Sequence, residues 1–580
     1  MLRCSQHNPD TRPRQRSGTP CVAVTLFDLL TLRHQLIDLH SRRIYPAQIR
    51  VEGTRIVSVE ELAADAFVDA GYLMPGFIDA HVHVESSMLP PREFARVAVR
   101  HGTVATVSDP HEIANVLGEA GVEFMLSEAS DACMPIAFGV PSCVPATAFE
   151  TSGATLDAAT VARLLADDRL SYLAEMMNWP GVLSGDSEVV AKIAAAQRAG
   201  KPVDGHAPGL RGHEAERYIA SGISTDHECF TLEEAREKAQ CGMHILVREG
   251  SAARNLEALW PIVREFPQLV MFCTDDAHPD DLLRGHINAI VARCIAHGLD
   301  LFDVLRAACV HAVEHYRLPT GLLREGDRAD FIVVQDLISF RVEQTWIAGA
   351  MVAHDGKSLV DSVQSTTPNQ FRERRFVRDD FAMAAPRRDG PVSVRAIQAI
   401  DGQLVTGEAI STLHATEGVL EPDVSSDTLL LAVCNRYHDA KPALAFIRGF
   451  GLTRGAIATS VAHDSHQVVA VGATRAALCT AINAVFAARG GLAVVDGDAT
   501  ELLALPIAGL MSDQPAEDVA LAYQQLTLMA KQLGSPSHEP LRAPFMTLSF
   551  ITLLVIPALK LSDRGLFDAR EFRFVPTVLH

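Results

Sequence analysis

The chain lacks what several classes of function require. Lys and Arg total 51 against 71 Asp and Glu, a net charge of −20 at pH 7. No part of the body concentrates basic residues, which excludes nucleic acid as a general partner because phosphate binding needs such a concentration. The one basic stretch is at the start, where Arg3, Arg12, Arg14 and Arg16 precede Pro20. It has no apolar run of the kind a secretory signal needs, so residues 1–20 are expected to be a disordered leader. Cysteines number 11, none in a Cys-x-x-Cys pair, which excludes the common cysteine-ligated zinc sites and fits the reducing cytoplasm. The longest apolar stretch, Phe545 to Leu559, is too short to span a bilayer and is interrupted by Pro557, so no membrane partner is expected. His111-Glu112 and His213-Glu214 have no second His four positions after the first, which removes the zinc-protease motif.

What is present is the composition of a folded enzyme, 48% hydrophobic and 21% charged over 580 residues. At about 150 residues per domain that length suggests three or four units. From Val22 to Val59 short apolar runs alternate with turns, and Ile49 to Val57 reads as a hairpin turning at Gly53. The same pattern returns at Ala329 to Val334 and in a hairpin from Val342 to Val352, turning near Gly349. Between these pieces strands and helices alternate. The strands are Phe77 to Val82, Thr103 to Ser108, Ile136 to Val140 and onward to Leu269 to Cys273, with helices such as Pro91 to Arg100 and Ile113 to Ala129. Such alternation over about 250 residues predicts a parallel barrel.

The expected architecture is therefore α/β: a (β/α)₈ TIM-like barrel (75–326) inserted in a small β-sandwich (21–74 and 327–365). An Arg-rich linker (366–391) then leads to an α+β C-terminal domain (392–580) containing a helix from Thr474 to Ala488. An acidic chain of this size is expected to form a homo-oligomer.

The chemistry starts at His81-Val82-His83, closing an apolar strand. Side chains at i and i+2 share one face of a strand, so both imidazoles can reach one divalent ion. Barrel enzymes carry their reactive groups at the C-terminal ends of strands. Glu175 follows Tyr172-Leu173-Ala174, His206 follows Val203-Asp204-Gly205, His227 follows Ser224-Thr225-Asp226, and Asp275 follows Phe272-Cys273-Thr274. Four histidines and two carboxylates can hold two divalent ions with one carboxylate bridging, and two ions sharing a hydroxide make a nucleophile at neutral pH. Thr231-Leu232-Glu233-Glu234 reads as a capping box that opens a helix just after His227. A bridge through a carboxylated lysine is disfavoured, because only Lys192, Lys201 and Lys238 lie between Glu85 and Asp275 and none ends a strand.

The more particular blocks carry a family resemblance. Pro75 to Met88, Asp109 to Val116, Ala174-Glu175-Met176-Met177-Asn178, Gly205-His206-Ala207-Pro208-Gly209, Asp226-His227-Glu228, Arg248 to Ala252 and Cys273-Thr274-Asp275-Asp276 resemble the adenine deaminases of the amidohydrolase superfamily. So do Gly449 to Leu452, Ser460 to His466 and Pro544 to Phe550, and the resemblance runs from about Val22 nearly to the end. Asn288 stands where that family usually has Asp.

The resemblance implies hydrolysis of adenine to hypoxanthine and ammonia by a hydroxide held between two divalent ions, Mn²⁺ first with Fe²⁺ or Zn²⁺ as alternatives. It assigns His81, His83, Glu175, His206, His227 and Asp275 as ligands, Glu175 as the bridge and Asp275 as proton acceptor. His111 and Glu112 are second candidates for acid catalysis, with a loop-bracing hydrogen-bond pair as the alternative. His463, Asp464 and His466 either enter the site or stabilise their own domain, and the second role is expected for Asp464. Two other functions remain open: hydrolysis of another cyclic amide or aminated heterocycle, and a non-catalytic scaffold.

Overall fold

The computed structural model describes residues 29–251, 253–534 and 540–579. The expected leader, residues 1–20, lies outside the described residues. Eight short strands run in chain order around the middle of the molecule: Phe77–Val82, Thr103–Ser108, Ile136–Phe138, Leu173–Met176, Val203–Gly205, Thr225–Asp226, His244–Arg248 and Val270–Cys273. Neighbours pair in parallel in three groups. A parallel bridge from Val140 to Leu173 and the bond from Ser224 N–H to the Val203 carbonyl (2.9 Å) join the groups. The ring closes at Asp275, whose N–H donates to the His81 carbonyl at 2.9 Å and whose carbonyl accepts from His83 N–H at 3.0 Å. Closure thus falls on the residues that carry the chemistry.

The barrel strands are buried on both faces, as parallel strands covered by helices must be. Gly205 is needed where the fifth and sixth strands approach, because a Cβ there would strike the Thr225 carbonyl and the Tyr218 hydroxyl. The outer helices follow from apolar spacing and caps. Leu256–Glu265 buries Leu256, Leu259, Ile262 and Val263 along one stripe. Asp157, Asp186 and Asp300 accept first-turn N–H groups.

Two expectations about the helices need correcting. The helix from Ile113 to Ala129 is two helices, His111–Leu117 and Glu119–Ser130, separated at Gly118 with φ +60°. The capping box at Thr231 has one arm only. Thr231 accepts from Glu234 N–H, but the Glu234 carboxylate turns to Lys238 Nζ (2.7 Å) and to the N–H groups of Gly209 and Phe230. The buried Lys238 ammonium attracts it more strongly than a backbone amide does.

The flanks form one eight-stranded sheet, ordered Lys357–Ser358, Ala350–His354, Val342–Ile347, Phe331–Val334, Tyr72–Pro75, Leu30–Asp38, Arg43–Glu52, Arg55–Glu61. Phe331–Val334 lies antiparallel on Tyr72–Pro75, so the chain leaves for the barrel and returns at adjacent strands. The sheet folds over its own core of Leu36, Ile49, Val51, Leu73, Phe331 and Trp346. Just before Phe331–Val334 the Ala329 N–H donates to the Thr54 carbonyl, in the turn ahead of the edge strand Arg55–Glu61, at 2.9 Å.

Beyond it lies a ten-stranded sheet between Met383 and Ala504, covered by the helix Arg475–Ala488. The Arg-rich segment 366–391, expected as a linker, is packed: Phe371, Phe376, Phe381 and Met383 enter this second core, so its apolar residues outweigh its arginines. The C-terminal part sits on the catalytic end of the barrel, where Ser512 N–H donates to the Met88 carbonyl and Ala516 N–H to Glu93 Oε1, both at 2.8 Å. Among the described residues no helix is long and apolar enough to cross a membrane.

Candidate active site

All six expected ligand residues are buried and converge at the C-terminal end of the barrel. His81 Nε2 lies 3.3 Å from His83 Nε2, as the shared strand face requires. Glu175 is the centre of the cluster. Its Oε1 faces His83 Nε2 at 3.2 Å, and its Oε2 faces His206 Nδ1 at 2.8 Å and His227 Nε2 at 3.2 Å. One carboxylate thus addresses two sets of imidazoles, the geometry a bridging ligand needs. Asp275 Oδ1 stands 3.1 Å from His83 Nε2 and 3.7 Å from His81 Nε2. Its backbone is left-handed, φ +54°, a conformation held by the ladder that closes the barrel.

Electrostatics keep both carboxylates ionised. Burial pushes the Glu175 carboxyl up, but hydrogen bonds from His111, His206, His227 and His83 together hold it well below the usual carboxylate range. Burial likewise opposes ionisation of Asp275, and the Arg248 guanidinium, in direct contact with Oδ2, together with His83 and His227 outweighs it. His81 is drawn well down by burial and by the charge of His227, which keeps it a neutral donor.

The donor set fits divalent metal ions. Paired imidazole nitrogens face each other around two carboxylates, His81 Nε2 with His83 Nε2 and His206 Nδ1 with His227 Nε2, both pairs 3.3 Å apart. His83 Nδ1 lies 3.1 Å from the Asp109 carbonyl, which fixes that ring with Nε2 free to coordinate. Among the described residues no lysine enters the cluster. Lys192 donates to the Ser142 carbonyl, Lys201 to the carbonyls of Leu165 and Asp167, and Lys238 to Asp226 and Glu234.

His111 and Glu112 stand beside the cluster. His111 Nδ1 is 3.0 Å from Asp109 Oδ2 and 3.3 Å from Glu175 Oε1. Burial lowers this imidazole, and Asp109 and Glu112 more than reverse that, raising it well above its ordinary value. Glu112 reaches across the domain boundary to His463 Nδ1 at 2.5 Å and to His466 Nε2. Burial lowers the His463 imidazole, but Glu112 raises it to about 9. Asp464 corrects an expectation: its Oδ1 lies 3.8 Å from His111 Nε2 and it lines the catalytic cavity. The cis peptide between His463 and Asp464 lies in this same loop.

Several residues of the site escaped the sequence reading. Arg248 ends the seventh strand and spans Asp275 and Glu228, the latter at 2.7 Å. The strand-end rule pointed to it, but applied to metal-ligand types alone it passes over an arginine. Asp276 accepts from Ser86 Oγ at 2.6 Å, and Glu85 accepts from Ile113 N–H at 3.2 Å while burial raises its carboxyl to about 7. Asn288 lies outside the cavity lining. Its Oδ1 accepts from His286 N–H at 3.0 Å, and His286 in turn contacts Asp79, which accepts from Thr274 N–H beside Asp275. An amide oxygen serves that acceptor role as a carboxylate would.

Residues 72–357 match the amidohydrolase family, and residues 403–573 match the adenine deaminase C-terminal domain. An adenine deaminase of Salinibacter ruber is 54% identical over 543 residues, covering 93% of this chain and 97% of that protein. One from Sulfurovum is 52% identical, covering 94% and 99%, and one from Methanosarcina barkeri is 48% identical, covering 93% and 98%. With this likeness along nearly its whole length, and with buried His, Asp and Glu clusters suited to divalent metal, the chain belongs to the adenine deaminase family of the amidohydrolases.

Proposed function

We propose that the protein hydrolyses adenine to hypoxanthine and ammonia at a centre of two divalent ions held by His81, His83, Glu175, His206, His227 and Asp275. The observation that carries this reading is Glu175, whose two oxygens face two separate sets of imidazoles at 2.8–3.2 Å. Donors that are all imidazole and carboxylate, with no thiolate, suit Mn²⁺, with Fe²⁺ and Zn²⁺ as competitors. When bound, the ions supply Lewis acidity and a hydroxide nucleophile at neutral pH.

The remaining steps belong to the chain. Water adds to C6 of the purine, and Asp275, kept ionised by Arg248, receives its proton. The C6–O bond forms, the C6–N bond breaks, and one proton of the water leaves on ammonia while the other remains on hypoxanthine. His111, positively biased between Asp109 and Glu112, is the proton donor on the leaving-amine side; Asp275 gives its proton to water on product release, and His111 regains one from water through Glu112, His463 and Asp464. The setting we assign is cytoplasmic and homo-oligomeric, without nucleic acid; nine free cysteines among the described residues fit the compartment, and the net charge of −20 disfavours nucleic acid.

The test is ammonia release from adenine, adenosine, guanine, cytosine and dihydropyrimidines by protein loaded separately with Mn²⁺, Fe²⁺ or Zn²⁺. Turnover of adenine alone supports the reading. Turnover of another ring alone discards the substrate and keeps the hydrolytic centre, and silence with every metal favours a scaffold.

A further inference from the structure

The catalytic cavity has a volume of about 30 Å³. That is room for about one water molecule and none for a purine. Next to it, between the barrel and the C-terminal part, lies a cavity of about 520 Å³, within the range of small-molecule sites. Leu404 and Phe550 line both cavities and so form the wall between them. Phe550 also stacks on His463, ring centroids 4.4 Å apart.

This wall belongs to a small apolar cluster of its own. Leu404, Met546, Phe550, Leu553 and Ile556 pack together, separate from the main core. The two wall residues sit on different segments, Leu404 in the loop before the strand Gly407–Thr416 and Phe550 at the end of the helix Pro544–Ser549. One side chain joins them. Lys560, fully buried on the strand Leu559–Ser562, donates from Nζ to the Leu404 carbonyl and to the Phe550 carbonyl, both at 2.8 Å. Among the described residues its ammonium has no carboxylate partner within ion-pair distance. A buried ammonium held only by two carbonyls is costly, because no carboxylate offsets its desolvation. Desolvation draws this amine down to about 7, so the clasp is a weakly held proton rather than a fixed ion pair.

We propose that Leu404 and Phe550 are the gate between an entry vestibule and the catalytic cleft, and that Lys560 is the positioning residue that clasps the gate shut. The purine waits in the larger cavity, and the wall parts as the Lys560 bonds to one carbonyl open. Once the product has left, closure restores the apolar cover over His463. The inference rests on the purine reading of the cleft.

The experiment is stopped-flow binding of 2-aminopurine, a fluorescent isomer of adenine with no amine on C6 to lose, to the metal-loaded full chain. Adenine turnover is measured in parallel. Lys560→Met is expected to raise both association and dissociation rates by about tenfold, so that Kd changes less than either rate. Leu404→Ala should speed association alone, and Leu404→Trp should slow it by about tenfold. A purely structural role for Lys560 would lower the binding-competent fraction without accelerating entry. Association rates unchanged in all three variants, with wild-type adenine turnover intact, overturn the gate and leave the deaminase reading standing. Wild-type protein that neither turns over adenine nor binds 2-aminopurine overturns the reading itself, and with it a gate for purines. If Lys560→Met does not fold, the opposed shifts of the two Leu404 variants decide the matter.

Discussion

The two walls of the cleft are built differently. The barrel wall carries its groups at the ends of strands: His81 on the first with His83 just beyond it, Glu175 on the fourth, and His206, His227, Arg248 and Asp275 at or just beyond the ends of later ones. The C-terminal wall carries His463, Asp464 and His466 on a loop between the strands Ala456–Thr459 and Val468–Gly472, and Phe550 on a helix end. Strands bonded into a closed ring hold donor atoms to within fractions of an ångström, which metal coordination demands. A loop anchored through Glu112 tolerates adjustment, which suits proton delivery and access. The walls meet where Glu112 of the barrel holds His463 and His466, so this contact joins the precise half to the adaptable one.

If the barrel wall is the metal-holding half, Glu175→Gln should have the largest effect, losing both bound metal and turnover, as read by metal analysis and ammonia release. Asp275→Asn separates chemistry from coordination within that wall. It should keep most of the metal and lose about 10²–10⁴-fold in kcat, the range for a general acid–base group. Full activity in this variant would remove Asp275 from the mechanism.

At the junction, Glu112→Gln should leave metal content unchanged and reduce kcat by about 10²-fold. Loss of metal instead would move Glu112 into the coordinating half. On the C-terminal wall, Asp464→Asn should cost about tenfold in kcat with little change in KM, the size of effect of an outer partner. The last effect concerns stability and not turnover. Lys560 titrates near 7 when folded and at its ordinary 10.5 when unfolded. Between these values the unfolded chain binds more protons, so the folded state gains stability as pH rises from about 7 towards 10. Melting temperatures of wild type and Lys560→Met should therefore shift in favour of wild type across that window, and a constant difference would mean that Lys560 keeps an ordinary pKa in the fold.

Much of the barrel was readable because its cues are local. The spacing His81-Val82-His83 sets two rings on one face whatever surrounds the strand, and apolar runs ending in His, Glu or Asp mark the other positions. What stayed hidden depends on distant partners. Arg248 acquires its role only because its guanidinium lands between Asp275 and Glu228. The residues of 366–391 look like a linker until Phe371, Phe376 and Phe381 find the second core. Glu234 looks like a helix cap until Lys238 claims it.

By itself the sequence determined the alternation of strand and helix and the candidate imidazole and carboxylate donors, since each follows from periodicity or residue type over short distances, while the family came from the resemblance of whole motif blocks. Only the tertiary structure decided that Glu175 faces both sets of imidazoles, that Glu112 is shared with His463 and His466 more than 340 positions away, and that Leu404 and Phe550 meet over the cleft under one lysine. These arrangements depend on where the closed ring and the C-terminal loops come to rest against each other, and no local pattern of residues encodes that contact.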